Sequence, residues 1–550
     1  MPQDSADAPA QFSRSHEVPR KNEPPRRRAL RGLAFVAGGV LLIILAAAVY
    51  AALRWPFSHK SVAESLEEDF PGTISFTHFH KVYFPQPGCV AEGVTLANPK
   101  SPAGTRPLVY VQRFVLRANY HDLLFRPGYI SSIVLEGLHI RIPPRGQIGE
   151  TRPQTRSNTR VGEVTAKGVV LEIARADGNA PLKFEIHSLT LNSVSRKSSI
   201  AYDVALHNPL PPGEIRSRGR FGPWNFSNPG QTPLSGTYQF DDADLSVFDG
   251  VAGILSSRDN FQGVLTRIAT HGKIDIPDFH VTRSAHKVHL RADYDAFVNA
   301  FNGDVELRRV EATVLQTTIV ASGSVAGRPG QPGKTTSVDF SVRNGRYQDL
   351  LRLITQEPVP AFNGVTNLRA HVEVAPEGRP FLKELKVTGD FVIVDGQFTK
   401  PKTQKEVTDL SNRSRGKKPP DKVEDSLNQE IRPSVSGHVE MKNGTATLTN
   451  VRFAVPGALV ELHGTFNALN ERINFHGTLQ TDVSFSRTTG GIKSLLLKPF
   501  DAMFKRKPRG ANIPVKLDGT YSDPHPGVEL TADPKQNSSK PAGDDKKEQR

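Results

Sequence analysis

Leu368-Arg369-Ala370-His371-Val372-Glu373-Val374 decides the fold. Apolar and polar side chains alternate here with a period of two. In an extended chain that period puts Leu368, Ala370, Val372 and Val374 on one face and Arg369, His371 and Glu373 on the other. The run before it does the same, with Val338, Phe340 and Val342 set against Asp339, Ser341 and Arg343. The run after it carries Leu385, Val387, Phe391 and Ile393 at the same spacing. Further out, Val288, Leu290, Ala292 and Tyr294 alternate with Lys287, His289, Arg291 and Asp293. Val460, Leu462 and Phe466, then Ile473, Phe475 and Leu479, continue the pattern toward the C-terminus. Val435, Val439 and Met441 lead into Asn443-Gly444, the strongest short hairpin signal in the chain. Glycine, Asn-Gly and Pro-Gly punctuation between these runs suits antiparallel hairpins. Strands of ordinary length would number on the order of 20.

Amphipathic helices are scarce. Val62, Leu66 and Phe70 predict one short helix, and 247–268 is a second candidate, around Phe248, Leu255 and Leu265. So few helices cannot cover so many half-apolar strands. The sheets must pack on each other as closed cores, close into barrels, or curl into a groove whose apolar wall meets something other than protein. The expected fold is mainly β, with one N-terminal transmembrane helix and a few short helices; among the three arrangements, the family resemblance given below implies an elongated, twisted antiparallel sheet curled into an open apolar groove. The seventeen alternating apolar residues named above in the runs 338–342, 368–374, 385–393, 460–466 and 473–479 would line that groove.

The transmembrane helix is expected at 32–53. GLAFVAGGVLLIILAAAVYAAL carries no charge and is long enough to span a hydrocarbon core, and Arg26, Arg27, Arg28 and Arg31 precede it. A cleaved signal peptide would have a shorter apolar core. Residues 1–31 hold seven Lys or Arg against four Asp or Glu, which keeps this tail in the cytoplasm and sends residues 54–550 across. Both this tail and 533–550 read as disordered. The polar, charged stretch 400–433, with Pro419-Pro420, reads as a flexible insertion between a groove domain at 54–399 and a C-terminal β domain at 434–532.

Composition narrows the chemistry. One cysteine, Cys89, leaves no intramolecular disulfide. The formal charge of +14 suits anionic lipid better than nucleic acid, which the predicted topology keeps away from the main domain. A basic amphipathic segment with Lys498, Phe500, Phe504, Lys505, Arg506 and Lys507 is a candidate membrane-surface contact, or else a cap on the sheet end. The glycines and Lys334 of 327–335 imitate a phosphate-binding loop, but the outer glycines are one residue too far apart, and a strand pattern follows where a helix is required. His78 with His80, and His286 with His289, lack the partners of a metal site and read as wet-face histidines. No G-x-S-x-G elbow or H-E-x-x-H motif is present. No cofactor or catalytic residue is expected.

The segment 82–96, VYFPQPGCVAEGVTL, after an anchor and a short helix, resembles the start of AsmA-like bacterial envelope proteins. The stretch 435–479, VSGHVEMKNGTATLTNVRFAVPGALVELHGTFNALNERINFHGTL, looks like the C-terminal AsmA-like domain of that family. TGGIKSLLLKP at 489–499 and IPVKLDGT at 513–520 resemble its closing motifs. The resemblance implies a bridge-like lipid transfer protein, anchored in the bacterial inner membrane by a single pass with its bulk in the periplasm. It would be non-enzymatic, holding phospholipid acyl chains or a similar amphiphile in the groove and supporting lipid transport or outer-membrane biogenesis. The alternative function is a scaffold whose sheet edges pair with client strands during outer-membrane protein assembly.

Overall fold

The computed structural model describes residues 55–69, 72–97, 107–142, 159–174, 180–225, 227–282, 284, 286–328, 333–355, 359–376, 381–417, 431–482, 513–520 and 524–528. The expected transmembrane segment 32–53 and the basic segment with Lys498, Phe500, Phe504, Lys505, Arg506 and Lys507 lie outside them, as do the expected disordered ends. Among the described residues no helix is long and apolar enough to cross a membrane. Among the described residues of a first unit that ends at Val62, the rings of Trp55 and Phe57 meet edge to face with centroids 6.0 Å apart. The expected short helix is present as His59–Asp69.

From Thr73 onward the described chain is one open, twisted sheet of 25 strands. Nearly every strand pairs with its neighbour in sequence, so the order across the sheet follows the order along the chain. Thr73–Ser75 and His78–Val82 share one flank of Gly88–Ala97, and Val251–Ala252 continues the flank that Ile254–Val264 forms on Arg267–Val281. At the far side Pro524–Val528 is the last described strand, paired to Ile513–Thr520. Pro524 and Pro526 withhold donors there, which discourages further pairing at that edge.

The sheet is mixed, which corrects the expectation of an antiparallel one. Tyr129–Ile142 and Arg160–Ile173 run parallel, while the other pairings are antiparallel. Side-chain alternation is identical in the two arrangements, so the sequence pattern cannot distinguish them.

Tight turns fix the register. Asn443 and Gly444 take φ of 52° and 76°, the left-handed pair of a type I′ hairpin, and Lys442 faces Thr445 across it. Asp242, Asn344, Asp395 and Asn450, all with φ between 50° and 55°, sit at or beside breaks in strand register. Asp and Asn tolerate that conformation better than other side chains.

Two expectations fail locally. The helical candidate 247–268 is instead a single turn at Leu245–Val247 followed by strands Val251–Ala252 and Ile254–Val264. Gly250, Gly253 and Gly263 adopt φ of 92°, 139° and 145°, which an α-helix cannot use. The stretch read as a flexible insertion contains the helix Pro401–Ser414. Its buried face is mostly polar, which disguised it. Gln404 accepts from the Phe398 amide at 3.0 Å and donates to the Ile431 carbonyl at 2.9 Å, and Ser411 donates to the Pro456 carbonyl at 2.7 Å. The helix thus satisfies backbone groups at the strand ends, while Val407 joins the apolar cluster of Val455, Ala458, Leu479, Ile513 and Val515 and half-buried Leu410 packs against it.

This helix and Tyr347–Ile354 both sit on one rim of the sheet, the first rim, which also carries the turn at 456–457. The opposite, second rim carries the turns at 265–266, 299–304 and 443–444 and the short helix Phe381–Glu384.

Candidate functional site

Directly paired residues of neighbouring strands point to the same face of a sheet. The register therefore tests whether the predicted lining residues belong together. Val338 faces Val372, which faces Val387. Phe340 faces Ala370, Val342 faces Leu368, and Leu368 faces Phe391. Val374 faces Leu385, and Ile393 faces Val435. Val435 faces Phe453, which faces Val460, which faces Leu479. Leu462 faces Gly477, and Phe466 faces Ile473 while Phe475 faces Gly464. All seventeen predicted residues thus share one face.

The same face continues toward the N-terminus through residues that the sequence reading did not assign to it. Phe340 leads through Ala321 to Val310, then Tyr294, Gly272, Asp259, Tyr238, Ser217 and Val204. A parallel row runs from Val342 through Ile319, Ala312, Ala292 and Ile274. Beside the first row, toward the rim with the turns at 265–266 and 299–304, side chains from Leu234, Phe261, Ile268, Ala296 and Leu307 line an apolar depression of about 530 Å³.

Burial along this face separates a sealed core from an open wall. Of the seventeen, Val342, Ala370, Ile393, Ile473 and Leu479 are buried, and the other twelve are half-buried. A large side chain inside a closed sandwich would be covered from above by a second layer. Here the described helices cover strand ends, and among the described residues no second layer of strands packs over most of the face. One contact joins the two rims: the Phe381 ring lies against Gly250, where an added Cβ would come within 2.9 Å of it. Gly250 adjoins Val251, which pairs with Val281 at the first rim, while Phe381 precedes Leu385 at the second. The sheet is therefore not flat across this region.

The apolar face carries a buried acid, which the sequence reading missed. Asp259 is 5% exposed and accepts hydrogen bonds from the Tyr294 hydroxyl, the Thr270 hydroxyl and, at 2.8 Å, the His271 amide. The Tyr238 and Tyr294 hydroxyls lie 2.8 Å apart. Burial raises the Tyr294 phenol well above the ordinary tyrosine range, with neighbouring Tyr238 and Asp259 acting in the same direction. Two tyrosines and a carboxylate at one register height, with Gly272 on the strand between Asp259 and Tyr294, were the available signal, but the strand alternation counts Tyr as apolar and skips Asp259.

The opposite face is charged. His371 pairs with Asp339, His438 with Asp390 and His289 with Asp275, each at 2.7 Å. Arg452 pairs with Glu461 at 3.1 Å and Arg218 with Asp203 at 2.8 Å. These exposed pairs each stabilise little, but they keep that face wet and set its register against slippage. His289 therefore has a carboxylate partner, and Lys334 of the phosphate-loop lookalike lies 3.4 Å from Asp304. Among the described residues no group of three or more metal-type ligands forms.

No protein-family profile, no curated protein and no solved structure matches this chain.

Proposed function

We propose that the chain is a non-enzymatic carrier, anchored in the bacterial inner membrane, whose apolar sheet face holds phospholipid acyl chains and supports lipid movement or outer-membrane biogenesis. One observation carries the reading: apolar side chains stay in register on one face across most of the strands, yet twelve of the seventeen residues expected to line a groove are only half-buried. Apolar area left without a protein partner is unfavourable in water, and acyl chains would complete its burial at about 0.8 kcal/mol per CH₂. A wall that repeats Val, Leu, Ile and Phe from strand to strand offers similar contacts at each step. That suits sliding better than capture in one shaped pocket. The contact of Phe381 with Gly250 supports a groove over a flat sheet.

The scaffold reading draws less support. Strand addition needs an open edge, and the described edges are the short strands Thr73–Ser75 and His78–Val82 and the proline-bearing Pro524–Val528.

Gentle purification of the full chain from the envelope, followed by lipid extraction and mass spectrometry, tests the carrier reading. The wild type should carry stoichiometric phospholipid, and Val372→Asp with Leu462→Asp should lose most of it while remaining folded. A folded wild type with no lipid would refute the proposal.

A further inference from the structure

The first strands carry a surface that is not part of the apolar face. The loop at 83–87 joins His78–Val82 to Gly88–Ala97, and the helix Tyr120–Phe125 follows Val109–Arg117 on the same rim. The Tyr120 hydroxyl donates to the Tyr83 carbonyl, which makes loop and helix one surface. On it Phe84 is 85% exposed, Leu124 76% and Phe125 71%, with Tyr83 and Tyr120 exposed beside them. Isolated exposed apolar residues need no explanation, but five large ones brought together from two segments do.

A basic cavity adjoins this tip. Arg126, Arg160, Arg196 and Lys197 line a cavity of about 590 Å³ together with Tyr129 and Ser195, and no carboxylate is among its lining residues. Asp122 lies 3.8 Å from Arg126 at its edge. The cavity is a product of the parallel pairing. Because Arg160–Ile173 runs parallel to Tyr129–Ile142, Arg160 starts on the rim where Tyr129 starts, and the returning strand Leu182–Val194 delivers Arg196 and Lys197 to the same place. An antiparallel strand in that position would have carried Arg160 to the opposite rim.

We propose that this rim docks on a bilayer containing anionic phospholipid, with Phe84, Leu124 and Phe125 entering the interfacial layer and Arg126, Arg160, Arg196 and Lys197 holding lipid phosphates. Apolar side chains beside a purely basic cavity match the boundary between acyl chains and anionic headgroups. The chain also supplies the bilayer. The uncharged run 32–53 ends thirty residues before Tyr83, a distance that extended chain limits to about 100 Å. Tethering at that range gives even a weak contact a high effective concentration. The inference rests on this rim and on the membrane reading of 32–53. It does not require lipid in the groove.

The test uses the full chain in nanodiscs of brominated phosphatidylcholine with or without phosphatidylglycerol. Cys89 is 0% exposed, so single cysteines introduced as Phe84→Cys, Leu124→Cys or Val359→Cys can be labelled selectively with bimane. Val359 is 62% exposed on the opposite rim and serves as the reference. Labels at 84 and 124 should be quenched at least twofold relative to 359 in anionic discs. Combined Arg126→Glu, Arg160→Glu and Lys197→Glu substitutions, all at exposed positions, should return the label at 124 to the level of 359. Labels at 84 and 124 as unquenched as 359 would overturn the docking surface. Quenching that ignores both lipid charge and the Glu substitutions would overturn the phosphate contact. Lipid extraction from the same preparations reports on the groove separately.

Discussion

Asp259 is the residue most at odds with its surroundings. It is a buried carboxylate on a largely apolar face, tolerated because two hydroxyls and a backbone amide donate to it. Asp259→Ala strands those donors, and denaturant unfolding should show a loss of about 1–3 kcal/mol. Tyr294→Phe removes the bond to Asp259 and the contact with the Tyr238 hydroxyl and should cost about 1–2 kcal/mol. If Asp259→Ala unfolds like the wild type, the network is not structural. The wet face makes a different prediction, about pH. The His289 hydrogen bond is the main influence holding the Asp275 carboxyl below the ordinary aspartate range, and the His207 hydrogen bond does the same for Glu214. A depressed carboxyl pKa contributes stability that is fully present above the unfolded-state value, near 4, and is lost as pH falls through the folded value. Asp275→Asn should therefore cost a little stability near neutrality and flatten the acid limb of the stability–pH curve below about pH 4, where variant and wild type converge. Both carboxyls are well solvated, so the effect is small. An equal offset at pH 3 and pH 7 would contradict it.

At the level of the element, turns and rims set the register that places the apolar side chains together. Gly444 combines a φ of 76° with a close neighbour, since an added Cβ would fall 2.8 Å from Leu469. Gly444→Val should lower stability by on the order of 1–2 kcal/mol through the left-handed backbone alone, read as a lower thermal midpoint. No change would mean that the hairpin is not the I′ turn described. The strands and this turn were legible because alternation and Asn-Gly are local signals. Each of the seventeen residues came to lie on one face because a period of two leaves no other choice once neighbours pair in register. Less was legible where partners lie far away in sequence. The parallel pair at Tyr129–Ile142 leaves no mark on alternation, and the basic cavity that depends on it was therefore invisible. Helix Pro401–Ser414 buries Gln404, Thr408 and Ser411 against backbone groups, so its composition resembles a linker. The stretch 247–268 placed Phe248, Leu255 and Leu265 at helix-like intervals, and only the glycine conformations reveal why strands form instead.

For the molecule as a whole, strands stacked edge to edge at about 4.8 Å give an apolar face with a contour on the order of 100 Å. Such a face is far larger than a ligand pocket and carries a polar station at Asp259, Tyr294 and Tyr238. In the carrier reading, acyl chains lie along this face while charged pairs such as His371 with Asp339 stay in water on the other side. Adjacent residues of one strand then have opposite surroundings, and this is the claim to test most directly. A photoreactive p-benzoylphenylalanine should be placed at Phe340 in one full-length protein and at Ser341 in another, irradiated in intact cells, and the adducts analysed by mass spectrometry. The account predicts phospholipid adducts at 340 and few or none at 341. Adducts absent from 340, or equally abundant at both positions, would contradict it.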